Sequence, residues 1–320
     1  MVGRYPSPVD IVVATDGCTD GTAAAVAAYA RQGVRLLELP RVGKAAALTA
    51  AVAAGSADIL VFTDANGALA IDALEAIVRP FADREVGGVA GNQRYQPKGD
   101  DDGLASGERS YWSYDRALKR AESRAGNVIS ATGALYAIRR ELFQPVAEGV
   151  TDDFYLSTGV IAAGRRLVFA EDAVVFEAAA SSGRIEYGRK VRIMTRGLQG
   201  VVLRRELLNP RRFGYYAIAL WCHKVLRRLM AFPLATLQVS NMLAGQRRRA
   251  YRAMAVGQVA FYAAGAAGLA LGRTVHGCPR VLAAPAYFCL VNAAAVRAVV
   301  NVARGHRIDR WEPTREQAVP

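Results

Sequence analysis

The run Ile59-Leu60-Val61-Phe62-Thr63-Asp64-Ala65-Asn66 decides how this chain is read. Four apolar residues in a row describe a strand buried on both faces, as the central strand of a parallel sheet is. The run ends abruptly in an acid, a small residue and an amide. Ligands of such sheets bind at the carboxyl ends of the strands, and Asp64 and Asn66 sit at such an end. One residue apart, both side chains can turn toward one hard cation through oxygen ligands. Mg²⁺ or Mn²⁺ held that way usually also holds a phosphate. A strand followed by an Asx turn explains the same residues equally well.

Upstream, Val9–Ala14 reads as a strand running into Thr15-Asp16-Gly17-Cys18-Thr19-Asp20-Gly21-Thr22, a tight Gly/Asp loop before a helix over Ala23–Gln32. An ordinary strand-to-helix turn would serve. Two Asp in one loop also supply carboxylates for a uracil N–H or a ribose hydroxyl. Val34–Leu39 is the next strand, followed by Pro40-Arg41-Val42-Gly43-Lys44 and a helix over Ala45–Ala54. Gly43-Lys44 lacks the upstream Gly and the Ser/Thr of a Walker A loop. Lys44 at a helix start suits an anion, and equally suits solvent.

Downstream, a helix over Asp72–Phe81 precedes a strand over Val86–Asn92. A polar loop runs over Gln96–Gly107, and Glu108–Glu122 reads as a helix carrying Tyr111, Trp112 and Tyr114. Ser130–Ile138 enters another strand. Thr151 is an N-cap candidate for a helix through Ala163, with Asp152 and Asp153 in its first turn as dipole matches or as a general base. Leu167–Glu177 gives further strand. The alternation of strands and helices is the doubly wound α/β signature. Tyr187–Leu203 is a basic helix on which Arg189, Arg192 and Arg196 share one face. That face could neutralise a diphosphate, or lie in solvent or against a membrane.

From Phe213 onward, apolar blocks alternate with Arg clusters. Leu229–Ala244, Ala253–Leu271 and Val281–Ala303 predict two or three membrane helices, the first marginal in length. A hydrophobic hairpin buried in a soluble oligomer is the alternative. The net charge of +13 lies beside apolar blocks, which points to a lipid bilayer rather than nucleic acid. No nucleic-acid motif is present, and aromatics do not interleave with the basic residues. Cys18, Cys222, Cys278 and Cys289 lack metal or disulfide spacing, so a reducing cytosolic face is expected. The first residues carry no apolar run, so no signal peptide is expected.

Taken in order, TDGCTDGT, RVGKAAAL, FTDAN, ATGALYAIRRELF, TDDF and RKVRI, then membrane helices, resemble the family 2 glycosyltransferases. The branch resembled is the membrane-bound one of hyaluronan, cellulose and poly-N-acetylglucosamine synthases. The resemblance covers the chain from about Val9 onward. It implies a GT-A-like, doubly wound, mostly parallel sheet followed by C-terminal transmembrane helices. A nucleotide-sugar-binding domain over 1–205, an interfacial segment over 206–228, a membrane region over 229–303 and a basic tail over 304–320 are expected. The implied activity is inverting transfer from a nucleotide-diphospho-sugar, usually UDP-linked, to a polysaccharide or lipid-linked acceptor. The implied location is the cell membrane, multi-pass, with the catalytic domain cytoplasmic.

Carried over residue by residue, Asp16 resembles the acid at the nucleobase and Lys44 a lysine near the donor. Asp64 and Asn66 resemble the metal motif for Mg²⁺ or Mn²⁺. Gly133 resembles a loop residue facing the sugars, Asp153 the base, and Arg189 and Arg192 the arginines of the QxxRW motif. Three departures stand out. Asn66 replaces an acid, TDD replaces TED, and the motif's Trp is missing at Ile193. The chain also begins just before what would be the family's second strand, so an N-terminal truncation is expected. A sheet without that strand would expose unpaired edges. A truncated, inactive or donor-binding membrane subunit is therefore the competing reading. A nucleotidyltransferase is a third, disfavoured by the missing Gly-rich phosphate loop.

Overall fold

The computed structural model describes residues 5–96, 115–178, 183–271 and 280–308. The polar loop expected after Gln96, the aromatics Tyr111, Trp112 and Tyr114, the basic loop before Arg280 and the tail beyond residue 308 lie outside them. The chain divides into two units: strands and short helices in 5–96 and 115–178, helices alone in 183–271 and 280–308.

In the first unit, β1 (Ile11–Asp16), α1 (Thr22–Ala27), β2 (Val34–Leu39), α2 (Lys44–Ala54) and β3 (Ile59–Thr63) follow the expected alternation. Next come β4 (Ala68–Leu69), α3 (Ala73–Val78), β5 (Val86–Gln96) and α4 over 115–124. The unit closes with β6 (Leu135–Arg139), α5 (Asp152–Ala162) and β7 (Arg166–Ala178). The helix α3 is shorter than its apolar pattern. Pro80 has no N–H and its ring crowds the preceding turn, so Arg79–Ala82 tightens into a 3₁₀ turn.

β1 and β2 form a parallel pair, Ile11 opposite Val34 through Asp16 opposite Leu39. The second sheet has the order β3-β6-β5-β7-β4. Within it β5 and β7 are parallel, while β3/β6, β5/β6 and β4/β7 are antiparallel. The sheet is thus mixed rather than mostly parallel. β3, β5 and β7 still run the same way, because β6 inserts between β3 and β5 with opposite polarity. Apolar runs report burial on both faces, not direction. Among the described residues β1 pairs only with β2 and β3 only with β6, so each presents an edge without ladder bonds.

The core lies between α3 and the second sheet, where Ala73, Ile77 and Phe81 meet Val89, Leu135, Ala137 and Val175. Two arginines finish β6 by collecting carbonyls. Arg139 donates to the carbonyls of Val86 (2.9 Å), Phe81 (2.8 Å) and Asp83 (3.0 Å) and lies over the Phe81 ring. Arg140 donates to the carbonyls of Val52 (3.0 Å) and Ala57.

The second unit comprises α6 (Gly183–Leu203), α7 (Pro210–Leu220), a π-helical turn (Trp221–Leu226), α8 (Arg227–Leu229), α9 (Ala231–Gly245), α10 (Arg249–Leu271) and α11 (Arg280–Ala303). Asn209 caps α7 by accepting the Arg211 N–H at 3.0 Å. Gly214 (φ 52°) breaks the helix inside α7. α10 and α11 are long and apolar enough to cross a membrane, and only 17% and 33% of their apolar stretches are buried. At 15 residues, α9 reaches about 22 Å, short of a hydrocarbon core. α10 and α11 pack closely at Gly265, where a Cβ would collide with Cys289 Sγ. Asn301 Nδ2 on α11 donates to Thr195 Oγ1 on α6 at 3.3 Å.

Candidate active site

The carboxyl ends of β1 and β3 carry the first acids. Asp16 ends β1, and its Oδ1 accepts the N–H groups of Val42 (2.7 Å) and Gly43 (2.9 Å). It thereby shapes the turn that starts α2. Gly17 (φ 64°) makes this possible, because a Cβ there would lie 2.8 Å from Arg41 Cβ in the facing loop. Asp16 thus holds the loop beneath Lys44.

Asp64 ends β3. Gly67 N–H returns to the Asp64 carbonyl at 3.1 Å, so Asp64–Gly67 is a turn with Asn66 exposed on it. Lys44, the first residue of α2, bridges two acids. Its Nζ is 2.9 Å from Asp64 Oδ1 and 3.1 Å from Asp152 Oδ1. Burial alone would lower the Lys44 pKa. The charges of Asp152 and then Asp64 outweigh it and hold the ammonium well above its usual value.

Thr151 and the two acids after it open α5. Adjacent helical residues point about 100° apart, so Asp152 and Asp153 face different surroundings. Asp152 is buried, and its Oδ2 accepts the Tyr136 hydroxyl at 3.2 Å. Tyr136, on β6, is fully buried and stacks on Phe62 at 4.7 Å between centroids. Burial, then the charges of Asp152 and Asp153, raise its pKa well above the ordinary phenol value. Asp153 instead faces Gly133. A Cβ on Gly133 would stand 3.4 Å from Asp64 Oδ2 and 3.8 Å from Asp153 Oδ2. Gly133 therefore sits between the two carboxylates.

Ser157, one turn along α5, fastens that loop. Its hydroxyl accepts the Ala131 N–H at 3.1 Å and donates to the Asp153 carbonyl at 2.5 Å. On the other side Thr63 Oγ1 donates to the Ala134 carbonyl at 2.9 Å.

The structure thus brings Lys44, Asp64, Gly133 and Asp153 together, with Asp16 shaping the loop before Lys44. Arg189 and Arg192 lie on α6, in the second unit. Burial, then Arg196 and Arg189, lower the Arg192 pKa. Asp152, which the sequence offered only as one of a pair with Asp153, and Tyr136, which it did not single out, lie beside these residues. The signal for Tyr136 was a phenol inside an apolar strand, since a buried hydroxyl needs a partner.

Among the described residues no three His, Cys, Asp or Glu side chains are grouped to hold a metal. Asp64 and the Asn66 amide are two hard oxygen donors on one turn. That donor set fits Mg²⁺ or Mn²⁺ when phosphate oxygens complete the shell.

Comparison with known proteins bears on the fold. Residues 2–146 match the family profile described as Glycosyl transferase family 2. That match falls on the first part of the chain, whose fold is GT-A-like. Over 187 residues the chain is 27% identical to an N-acetylglucosaminyltransferase of Rhizobium meliloti (strain 1021), covering 53% of this chain and 44% of that protein. It thus spans less than half of that relative's length. The mannosyltransferase PcManGT from Pyrobaculum calidifontis, solved in complex with GDP-Man and Mn²⁺, superposes with a TM-score of 0.64 at 25% identity. That superposition covers 91% of this chain and 77% of the other.

Proposed function

We propose that this protein is an inverting glycosyltransferase of the membrane surface. It moves a sugar from a nucleoside-diphospho-sugar to a polysaccharide or lipid-linked acceptor. The observation that carries the reading is the meeting of Asp64 and Asp153 at Gly133, with Lys44 paired to Asp64. The Asp153 carboxylate takes the proton of the acceptor hydroxyl as its oxygen bonds the anomeric carbon. The anomeric carbon–oxygen bond to the diphosphate breaks on the opposite face, and the nucleoside diphosphate leaves. Asp64 and Asn66 would hold Mg²⁺ or Mn²⁺, which supplies charge for the departing phosphates. Lys44 and the N–H groups opening α2 face the same anion. Arg189 and Arg192 are the further candidates for it.

UDP is the nucleotide that the resemblance implies, while the PcManGT complex holds GDP-Man, so both bases enter the test. The lipid bilayer is the second partner. α10 and α11 are the membrane spans, the 206–228 segment lies at the interface, and the catalytic unit faces the cytoplasm.

The decisive assay is sugar transfer from UDP- and GDP-sugars in membranes with Mn²⁺ or Mg²⁺. Asp153→Asn should retain donor binding and lose roughly 10²- to 10⁴-fold in turnover, as removal of a general base does. Undiminished turnover in Asp153→Asn overturns the role of Asp153. Nucleotide binding with no transfer from any donor replaces the enzyme by a donor-binding subunit.

A further inference from the structure

The site holds a cation of its own, on the acid that a divalent ion would need. Lys44 Nζ lies 2.9 Å from Asp64 Oδ1. Its second anchor, Asp152 Oδ1, is 3.1 Å away. The Asp152 side chain is only 10% exposed and is itself tied to the Tyr136 hydroxyl through Oδ2. The Lys44 backbone is fixed, because it begins α2 and the turn before it is clamped by Asp16 at Val42 and Gly43. Asp153 is oriented differently, with one oxygen bonded to the Phe154 N–H and the other toward Gly133. The ammonium is therefore shared by Asp64 and Asp152.

An ammonium within hydrogen-bond distance of Asp64 Oδ1 blocks that oxygen as a ligand. Its charge also repels a second cation on the same carboxylate. The same lysine opens a helix N-terminus, where a diphosphate is the natural competitor for it. We propose that Lys44 is a latch on Asp64, parked by Asp152, that keeps divalent metal off the acid until a nucleoside diphosphate draws the ammonium away. Metal and nucleotide then bind interdependently, and the coupling is reciprocal. This inference rests on the reading of Asp64 as the metal-holding acid. It adds Asp152 as a positioning residue acting through Lys44.

The test measures Mn²⁺ alone, by loss of the free-ion electron paramagnetic resonance signal on titration with the whole protein. It is repeated with UDP or GDP present. Lys44→Met should bind Mn²⁺ without nucleotide at least tenfold more tightly than the parent. Lys44→Arg, which keeps the charge and the ion pair, should behave as the parent does. Arg41→Met removes a neighbouring positive charge that touches neither acid, and should leave Mn²⁺ binding unchanged. Unchanged Mn²⁺ affinity in Lys44→Met overturns the latch. An equal gain in Arg41→Met overturns it too, by reducing the effect to general charge. Asp64→Asn separates the two claims. If Mn²⁺ binding to Lys44→Met survives the added Asp64→Asn, the underlying reading of Asp64 fails. If it disappears while Lys44→Met alone binds no more tightly than the parent, Asp64 stands and only the latch is lost. Circular dichroism of each variant confirms that it is folded.

Discussion

A Cβ added at Gly133 would stand 3.4 Å from Asp64 Oδ2 and 3.8 Å from Asp153 Oδ2. Both are ordinary van der Waals distances, and Gly133 does not have a positive φ, so the backbone accepts alanine without strain. What the methyl takes is the space between Asp64, proposed for the metal, and Asp153, proposed as the base. Gly133→Ala is therefore expected to unfold within a few degrees of the parent while losing tenfold or more in kcat/KM, about 1.4 kcal/mol of transition-state stabilisation. Steady-state transfer kinetics beside a thermal melt check it. Full activity would place the reacting groups elsewhere. Asp152 shows the contrasting case at this scale. It is next to Asp153 in sequence, yet its burial and its bonds to Lys44 and Tyr136 give it a holding task. Sequence offered the two acids as a pair and marked Asp153 through the resemblance. Their division of labour follows from which side of α5 meets Gly133, and a string of residues does not carry that.

α5 reaches the site through its hydrogen bonds as well as its acids. Ser157 is fully buried and joins the Ala131 N–H to the first turn of α5. Ser157→Ala leaves that buried N–H without its acceptor, which costs on the order of 1–3 kcal/mol. The loop carrying Gly133 should loosen more than the sheet does. The expected outcome is a lowered melting temperature with faster amide exchange at Ala131 and a fall in kcat, while nucleotide affinity changes little. Exchange at Ala131 equal to the parent's would show that Thr63, bonded to the Ala134 carbonyl, suffices to hold the loop. Most elements of this unit were legible in the sequence, because apolar runs bounded by Gly, Asp and Pro are local signals. β2 and β3 start where their apolar runs start. The antiparallel insertion of β6 was not legible, nor was the two-residue β4. Strand direction is set by partners distant in sequence, such as Leu60 opposite Ile138 and Leu69 opposite Val175. The Arg139 and Arg140 pair is a similar case. It is visible as a motif, but its task of collecting carbonyls from Val86, Phe81, Asp83, Val52 and Ala57 appears only once the stretches 52–57 and 81–86 meet β6.

The α/β unit and the helical unit differ greatly in surface. From Gly183 to Ile308 the sequence has 21 Lys and Arg against two acids, Glu186 and Glu206. Its helices expose Leu237, Leu243, Met254, Val256, Val259 and Leu271. A core helix of a soluble protein would bury such residues, whereas α10 leaves most of its apolar stretch uncovered. Lipid covers that surface if the helices span a bilayer, and other copies of the chain cover it if the protein is a soluble oligomer. Val259 separates the two, being near the middle of α10 and exposed. An Arg at the centre of a spanning helix costs roughly 2.5–3.5 kcal/mol in insertion. The parent protein is therefore expected in the membrane fraction, resistant to alkaline carbonate and released by detergent. Val259→Arg should shift a large part of the chain out of that fraction. A detergent-free soluble oligomer of the parent, with Val259→Arg altering only its size, would instead mean that protein covers this face and that acceptor chemistry takes place away from lipid.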